Sequence, residues 1–364
     1  MKSIQELYQE RLTRIMAAVT LGTPDRVPVV PLGEAFCAKH QGVKLSTFCT
    51  TPALSTEVML KSFTSLGPID GIQHTGFFVH NLSAIWLSKV KIYEDSLWQV
   101  QEEELMKPED YDTIIQKGFN AFLQDFYLNR LDDLGAKLGP FYASVPPSFE
   151  AAKAMGVVPF SPMLFTIPYE MFCGGRSMTR FMGDMRKTPE KVKDAMDAAM
   201  PDILGGIAGA IGAFKPIGVW VGGWRSASEF ISPALWQKFV FPYIKQVVEA
   251  VVAAGAVPVL HLDSNWDRDV ECFRDLPKAK CVFSPDGMTD IYRVKKLLGD
   301  HMCIMGDVHA SMLSLGSPDE VYNYSTKLIK DLGPSGFILA QGCDIPPNAK
   351  PKNVAAMISA ATGC

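Results

Sequence analysis

Eight short apolar runs, many of them separated by longer amphipathic stretches, set the tightest limit on how this chain can fold. The runs fall at 27–32, 71–74, 159–165, 218–221, 256–262, 280–283, 303–306 and 337–341. Helical hydrophobic spacing occupies 46–66, 189–211, 233–254, 291–298 and 318–332. Short apolar runs read as buried strands, and a repeated strand–helix order implies parallel strands joined by crossover helices. Two helix starts are explicit. Ser232-Pro233 and Ser317-Pro318-Asp319-Glu320 each set a capping hydroxyl before a proline that suits the first helical turn. Eight such units in 364 residues predict one domain over 1–364, a (β/α)8 TIM-type barrel. A doubly wound sheet is the alternative, but no GxGxxG follows the first strand, which continues as Pro31-Leu-Gly-Glu-Ala-Phe. Residues 85–150 fit the alternation poorly and are read as an insertion capping the barrel mouth.

The formal net charge is −4, and lysines and arginines are scattered, so no basic stripe offers a surface to nucleic acid. No apolar stretch approaches the roughly 18 residues of a membrane span. The N-terminal MKSIQELYQERLTRIM alternates charged and apolar residues, unlike the apolar core of a signal peptide. A cytoplasmic protein is therefore expected, a monomer or homodimer whose eight cysteines form no CxxC pair and stay largely reduced.

Barrel enzymes gather their chemistry where strands end at the C-terminal edge. There the run Val257-Pro-Val-Leu-His-Leu-Asp delivers His261 and Asp263 two residues apart, hence on the same side of a strand. Imidazole and carboxylate are zinc ligands, although a structural His–Asp pair has the same spacing. Cys343 directly follows the last apolar run and precedes Asp-Ile-Pro-Pro. Its thiol completes a three-ligand site with one open position, unless it is an ordinary buried cysteine. Glu34 ends the first strand as a fourth ligand or an acid/base. Asp307 ends another strand as a catalytic carboxylate or a structural cap. Phe165, Tyr169 and Trp224 are candidate walls for an aromatic substrate, with Phe160 nearby; His74 and His309 are read as satisfied loop or core histidines.

At these residues nearly the whole chain resembles the uroporphyrinogen decarboxylase superfamily, and within it the corrinoid-dependent methyltransferases. The resemblance is carried by Pro24-Asp-Arg-Val-Pro-Val-Val-Pro, by Ile231-Ser-Pro-Ala-Leu-Trp with Pro242-Tyr-Ile-Lys, and by the stretch from His261 to Pro347. That last stretch looks like the first methyltransferase of anaerobic O-demethylase systems. The resemblance implies bound zinc, a methoxyaromatic substrate, and methyl transfer to the corrinoid (cobalamin) of a partner protein. Two departures qualify it. The basic first-strand motif that holds porphyrinogen carboxylates in the decarboxylase is replaced here by a segment containing Glu34, which disfavours decarboxylation. The HxC of coenzyme M methyltransferases becomes His261-Leu-Asp263, a harder ligand set suited to an ether oxygen. A D-x27-C-x39-C pattern associated with some O-demethylase methyltransferases is matched by Asp275, Cys303 and Cys343, a competing ligand set. Transfer from a methylcorrinoid to a thiol, decarboxylation, and a non-catalytic binding module are the alternative functions.

Overall fold

The computed structural model describes residues 2–364. Ten strands occur in it: β1 Gly71–Ile72, β2 Val90–Lys91, β3 Gln99–Val100, β4 Val158–Pro159, β5 Leu164–Thr166, β6 Gly218–Gly223, β7 Val257–Leu262, β8 Val282–Pro285, β9 Cys303–Val308 and β10 Phe337–Gln341. The strands β5 to β10 form one parallel sheet in sequence order. Backbone hydrogen bonds carry that sheet round into a ring. The extended residues 27–32 join β10 through Val30 N–H to the Leu339 carbonyl (3.0 Å) and Leu339 N–H to the Pro28 carbonyl (2.8 Å). They join the β1 side through Asp70 N–H to the Val29 carbonyl and Gln73 N–H to the Pro31 carbonyl, both 3.1 Å. The strand β4 pairs with β1, and the Phe160 carbonyl accepts from Gly218 N–H of β6 at 2.8 Å. Counting β4 and β5 as one interrupted strand, the ring has eight positions, the (β/α)8 barrel expected from the sequence.

The strands β6, β7 and β9 are buried along their whole lengths, which explains why they read as continuous apolar runs: a parallel barrel strand is covered on both faces. Both anticipated helix starts form. Ser232 caps Pro233–Phe239, and Ser317 with Glu320 closes a capping box on Pro318–Leu332. At the opposite edge from the strand C-termini, fully buried Asp70 accepts from Arg14 (2.6 Å), from Arg26 (2.7 and 2.9 Å) and from Val29 N–H (2.9 Å). No helix among the described residues is long and apolar enough to cross a membrane.

The stretch 85–150 is distributed over the barrel rather than forming one cap. Helix Leu134–Ala154 packs on Pro52–Leu66 and Ile4–Val19 as the crossover before β4. Helices Pro108–Lys117 and Phe119–Asn129 lie on the flank against Pro189–Phe214. There Lys191 meets Asp112 at 2.7 Å, and Asn120 N–H donates to Asp202 at 2.8 Å. The rim is reached by Trp86 and the β2–β3 region: Trp86 meets Trp224 edge-on at 4.9 Å, and Arg225 pairs with Glu102 at 3.0 Å.

Candidate metal centre

Strand β7 carries His261, 2% exposed, near its C-terminal end. Asp263 lies just beyond that strand, yet its N–H still donates to the Gly223 carbonyl at 3.0 Å. The ladder with β6 thus continues, and the two side chains stay on one side. His261 Nε2 and Asp263 Oδ1 are 3.0 Å apart. This Oδ1 and His261 Nδ1 are nevertheless buried without hydrogen-bond partners. Cys343 approaches from β10, and ligand atoms of His261, Asp263 and Cys343 lie within 4.8 Å of one another. Glycine at 342 permits the approach, because a Cβ there would meet the Asp286 carbonyl oxygen at 2.3 Å.

The electrostatics also fit a cation. Burial pushes the Cys343 thiol well above its ordinary range, and Asp263, Asp344 and Asp286 push it further. Burial likewise raises Asp286, offset in part by N–H donors from Met288 and Ser264. A half-buried thiol among three carboxylates is unfavourable as a thiolate until a positive ion compensates it. One imidazole, one carboxylate and one thiol whose ligand atoms lie within 4.8 Å of one another are a zinc-type donor set that leaves a fourth position open.

Trp220 organises the surroundings. Its indole stacks on His261 at 4.1 Å and 17°, and its N–H donates to Gln73 Oε1 at 3.2 Å. His74 packs on the same indole at 4.4 Å. The Nδ1 of His74 is 2.7 Å from Glu34 Oε1, and Glu34 N–H donates to Asp344 Oδ1 at 2.9 Å. Glu34, expected to close the first strand, is the first residue of helix Glu34–His40, because the chain turns at Gly33. His74, expected to be a satisfied histidine, has a buried Nε2 with no partner. Nothing in its local sequence distinguishes it; the ring closure brings it beside Glu34.

The other candidates divide. Trp224 is half-buried at the rim and lies so close over Gly222 that a Cβ there would be 2.0 Å from its ring. Its loop is held by Glu170, which accepts from the N–H groups of Trp224 (2.7 Å), Arg225 (3.1 Å) and Ser226 (2.9 Å) and from the Ser226 hydroxyl (2.6 Å). Burial raises the Glu170 carboxyl against the pull of these donors. Phe165 is half-buried on β5. Tyr169, in contrast, is fully buried, with Phe181 edge-on at 5.0 Å and Met182 Sδ 3.9 Å from its hydroxyl, so its ring packs with a wall helix. Asp307 also stands apart from the ligand cluster. Its carboxylate accepts from Tyr324 of helix Pro318–Leu332 at 2.8 Å, and burial raises it to about 6. Tyr324 also contacts His309 at 3.2 Å, the satisfied loop histidine expected. Asp275 ends a 3-10 turn and buried Cys303 begins β9, at the far end of that strand from the mouth, so Asp275 and Cys303 do not assemble with Cys343.

A family model described as uroporphyrinogen decarboxylase (URO-D) matches residues 10–363. The uroporphyrinogen decarboxylase of Chlorobaculum tepidum is 27% identical over 177 residues, 46% of this chain and 46% of that protein. That of Chlorobaculum parvum is 28% identical over 140 residues, 37% of this chain and 38% of the relative. The chain thus spans less than half the length of the curated relatives it matches. A solved methyltransferase from Methanosarcina mazei matches with a TM-score of 0.69 at 17% identity, over 96% of this chain and 97% of that one, a likeness of fold.

Proposed function

The chain belongs to the uroporphyrinogen decarboxylase family, and on that premise we infer that it is a zinc-dependent methyltransferase that moves a methyl group from a methoxylated aromatic to the Co(I) corrinoid of a partner protein. The observation that carries this reading is the convergence of His261, Asp263 and Cys343 at the barrel mouth, where Asp263 Oδ1 is buried without a hydrogen-bond partner. Decarboxylation is disfavoured by charge. Glu34 and Asp263 lie in the region beside Asp286 and Asp344, whose carboxyls burial pushes up, and Arg225 is already engaged by Glu102 and the Cys173 carbonyl, so a polycarboxylate porphyrinogen would meet acidic side chains without a free Arg225 to pair with.

In this reading His261, Asp263 and Cys343 hold the metal. Bound zinc supplies Lewis acidity that stabilises the phenolate leaving group as the methyl–oxygen bond breaks. Trp220 fixes the His261 ring by stacking, and Trp224 and Phe165 offer apolar faces to the substrate ring. Glu170 keeps the Trp224 loop in place, and Trp86 packs against that indole to limit water. The mouth is left for the corrinoid face of the partner. The test is anaerobic mixing of zinc-loaded protein with cob(I)alamin and 2-methoxyphenol. Loss of the Co(I) spectrum with one catechol formed per methylated cobalamin is expected. Decarboxylation of uroporphyrinogen without methyl transfer from any methoxyaromatic overturns the reading.

A further inference from the structure

The Glu34–His74 pair is not consumed by the metal set, and its geometry is that of an oriented acceptor. A carboxylate oxygen 2.7 Å from Nδ1 takes a hydrogen bond from Nδ1–H, which leaves Nε2 as the lone-pair nitrogen of the neutral ring. His74 is 8% exposed, and its Nε2 is buried without a partner. Buried acceptors are nearly always paired, so an isolated one beside a candidate active centre points to a donor that arrives with a ligand. The neighbouring indole of Trp220 provides an aromatic face next to that nitrogen, and the same indole stacks on the candidate ligand His261. Trp220, itself 6% exposed, thus contacts both rings and joins the unpartnered nitrogen of His74 to the candidate metal centre.

We propose that His74 is the specificity-determining acceptor of the site, receiving a free hydroxyl of the substrate ring, with Glu34 as the positioning residue that fixes its tautomer. The inference rests on the methoxyaromatic reading and narrows it to uncharged rings carrying a hydroxyl. A ring carboxylate would bring no donor to Nε2 and would face Glu34 and Asp344, themselves joined by the Glu34 N–H at 2.9 Å. Sites built to hydrogen-bond a hydroxyl reject analogues that lack it, because the buried partner is then left unpaired.

The experiment compares binding of 2-methoxyphenol and 1,2-dimethoxybenzene to the zinc-loaded protein by calorimetry, with nitrogen NMR of the histidine tautomers in the ligand-free wild type. The wild type is expected to prefer the hydroxylated ring by ~10–100-fold. His74→Leu levels the two affinities at unchanged zinc stoichiometry, and His74→Gln, with an acceptor oxygen near the Nε2 position, restores part of the preference. The NMR signature expected of His74 is a proton on Nδ1 alone. Survival of the preference in His74→Leu, or a proton on Nε2 of the wild type, overturns the role of His74 and leaves the methoxyaromatic reading standing. Binding of neither ring by the wild type overturns both.

Discussion

Removing the Glu170 carboxylate tests whether the loop bearing Trp224 is held from beneath. Its Oε1 accepts three hydrogen bonds, from Trp224 N–H, Ser226 N–H and the Ser226 hydroxyl, while Oε2 accepts one from Arg225 N–H. Glu170 and Ser226 are fully buried, so water does not readily replace the lost acceptor. In Glu170→Gln the amide oxygen can keep the three-donor side, but its NH2 then faces the Arg225 N–H. One bond is lost and two donors oppose each other, for a cost of about 1–3 kcal/mol. In Glu170→Ala all four donors lose their partner. At about 1 kcal/mol or more per bond, offset in part by relief from burying a carboxylate, the cost is about 3–5 kcal/mol. Urea unfolding gives the stabilities, and acrylamide quenching of tryptophan fluorescence reports release of the loop. The alanine variant should be the less stable and the more quenchable. An alanine variant within about 0.5 kcal/mol of wild type, with unchanged quenching, would refute the argument, since that is the range of an indifferent surface substitution.

Three further outcomes follow from the same contacts. Burial raises the Asp307 carboxyl to about 6, so the folded state binds a proton more readily than the unfolded chain, and this group's contribution declines as pH rises from ~4 through ~6. Asp307→Asn keeps an acceptor for Tyr324, and urea unfolding should show it gaining on wild type by up to the order of 3 kcal/mol between pH 4 and 7. A constant difference across that range would count against a buried, elevated Asp307. Asp70→Asn leaves Arg14 and Arg26 without their shared anion and should cost about 3–5 kcal/mol in urea unfolding; a cost below ~1 kcal/mol would mean the network is not closed. Tyr169→Phe removes a hydroxyl whose recorded contact is the Met182 sulfur, so calorimetry should find 2-methoxyphenol affinity unchanged, and a tenfold loss would return Tyr169 to the substrate wall.

The barrel was legible because its strands are buried on both faces and so appear as uninterrupted apolar runs, β7 and β10 most clearly. The helix Leu134–Ala154 was not, because it contains Pro140, Pro146 and Pro147, residues that normally end helices. Without that crossover, 85–150 read as a single insertion. The candidate ligands His261, Asp263 and Cys343 could be found because strand period and strand ends place them directly. Glu170, Trp220 and His74 could not be assigned roles, because those depend on contacts across the ring: Glu170 with the loop after β6, Trp220 with His261, and His74 with Glu34 40 positions away. The same limit explains Asp307 and Tyr169. Both lie near strand ends, where the barrel rule expects function, but their side chains engage Tyr324 and Phe181 on wall helices.

The methyltransferase reading requires that His261, Asp263 and Cys343 together hold one metal ion. Native mass spectrometry of the zinc-loaded protein, beside His261→Ala and Cys343→Ser carried through the same loading, tests it most directly. One zinc per wild-type chain, absent from both variants while their folded charge-state distribution is retained, is the predicted result. Wild-type protein that takes up no zinc, or folded variants that retain it in full, would contradict the account.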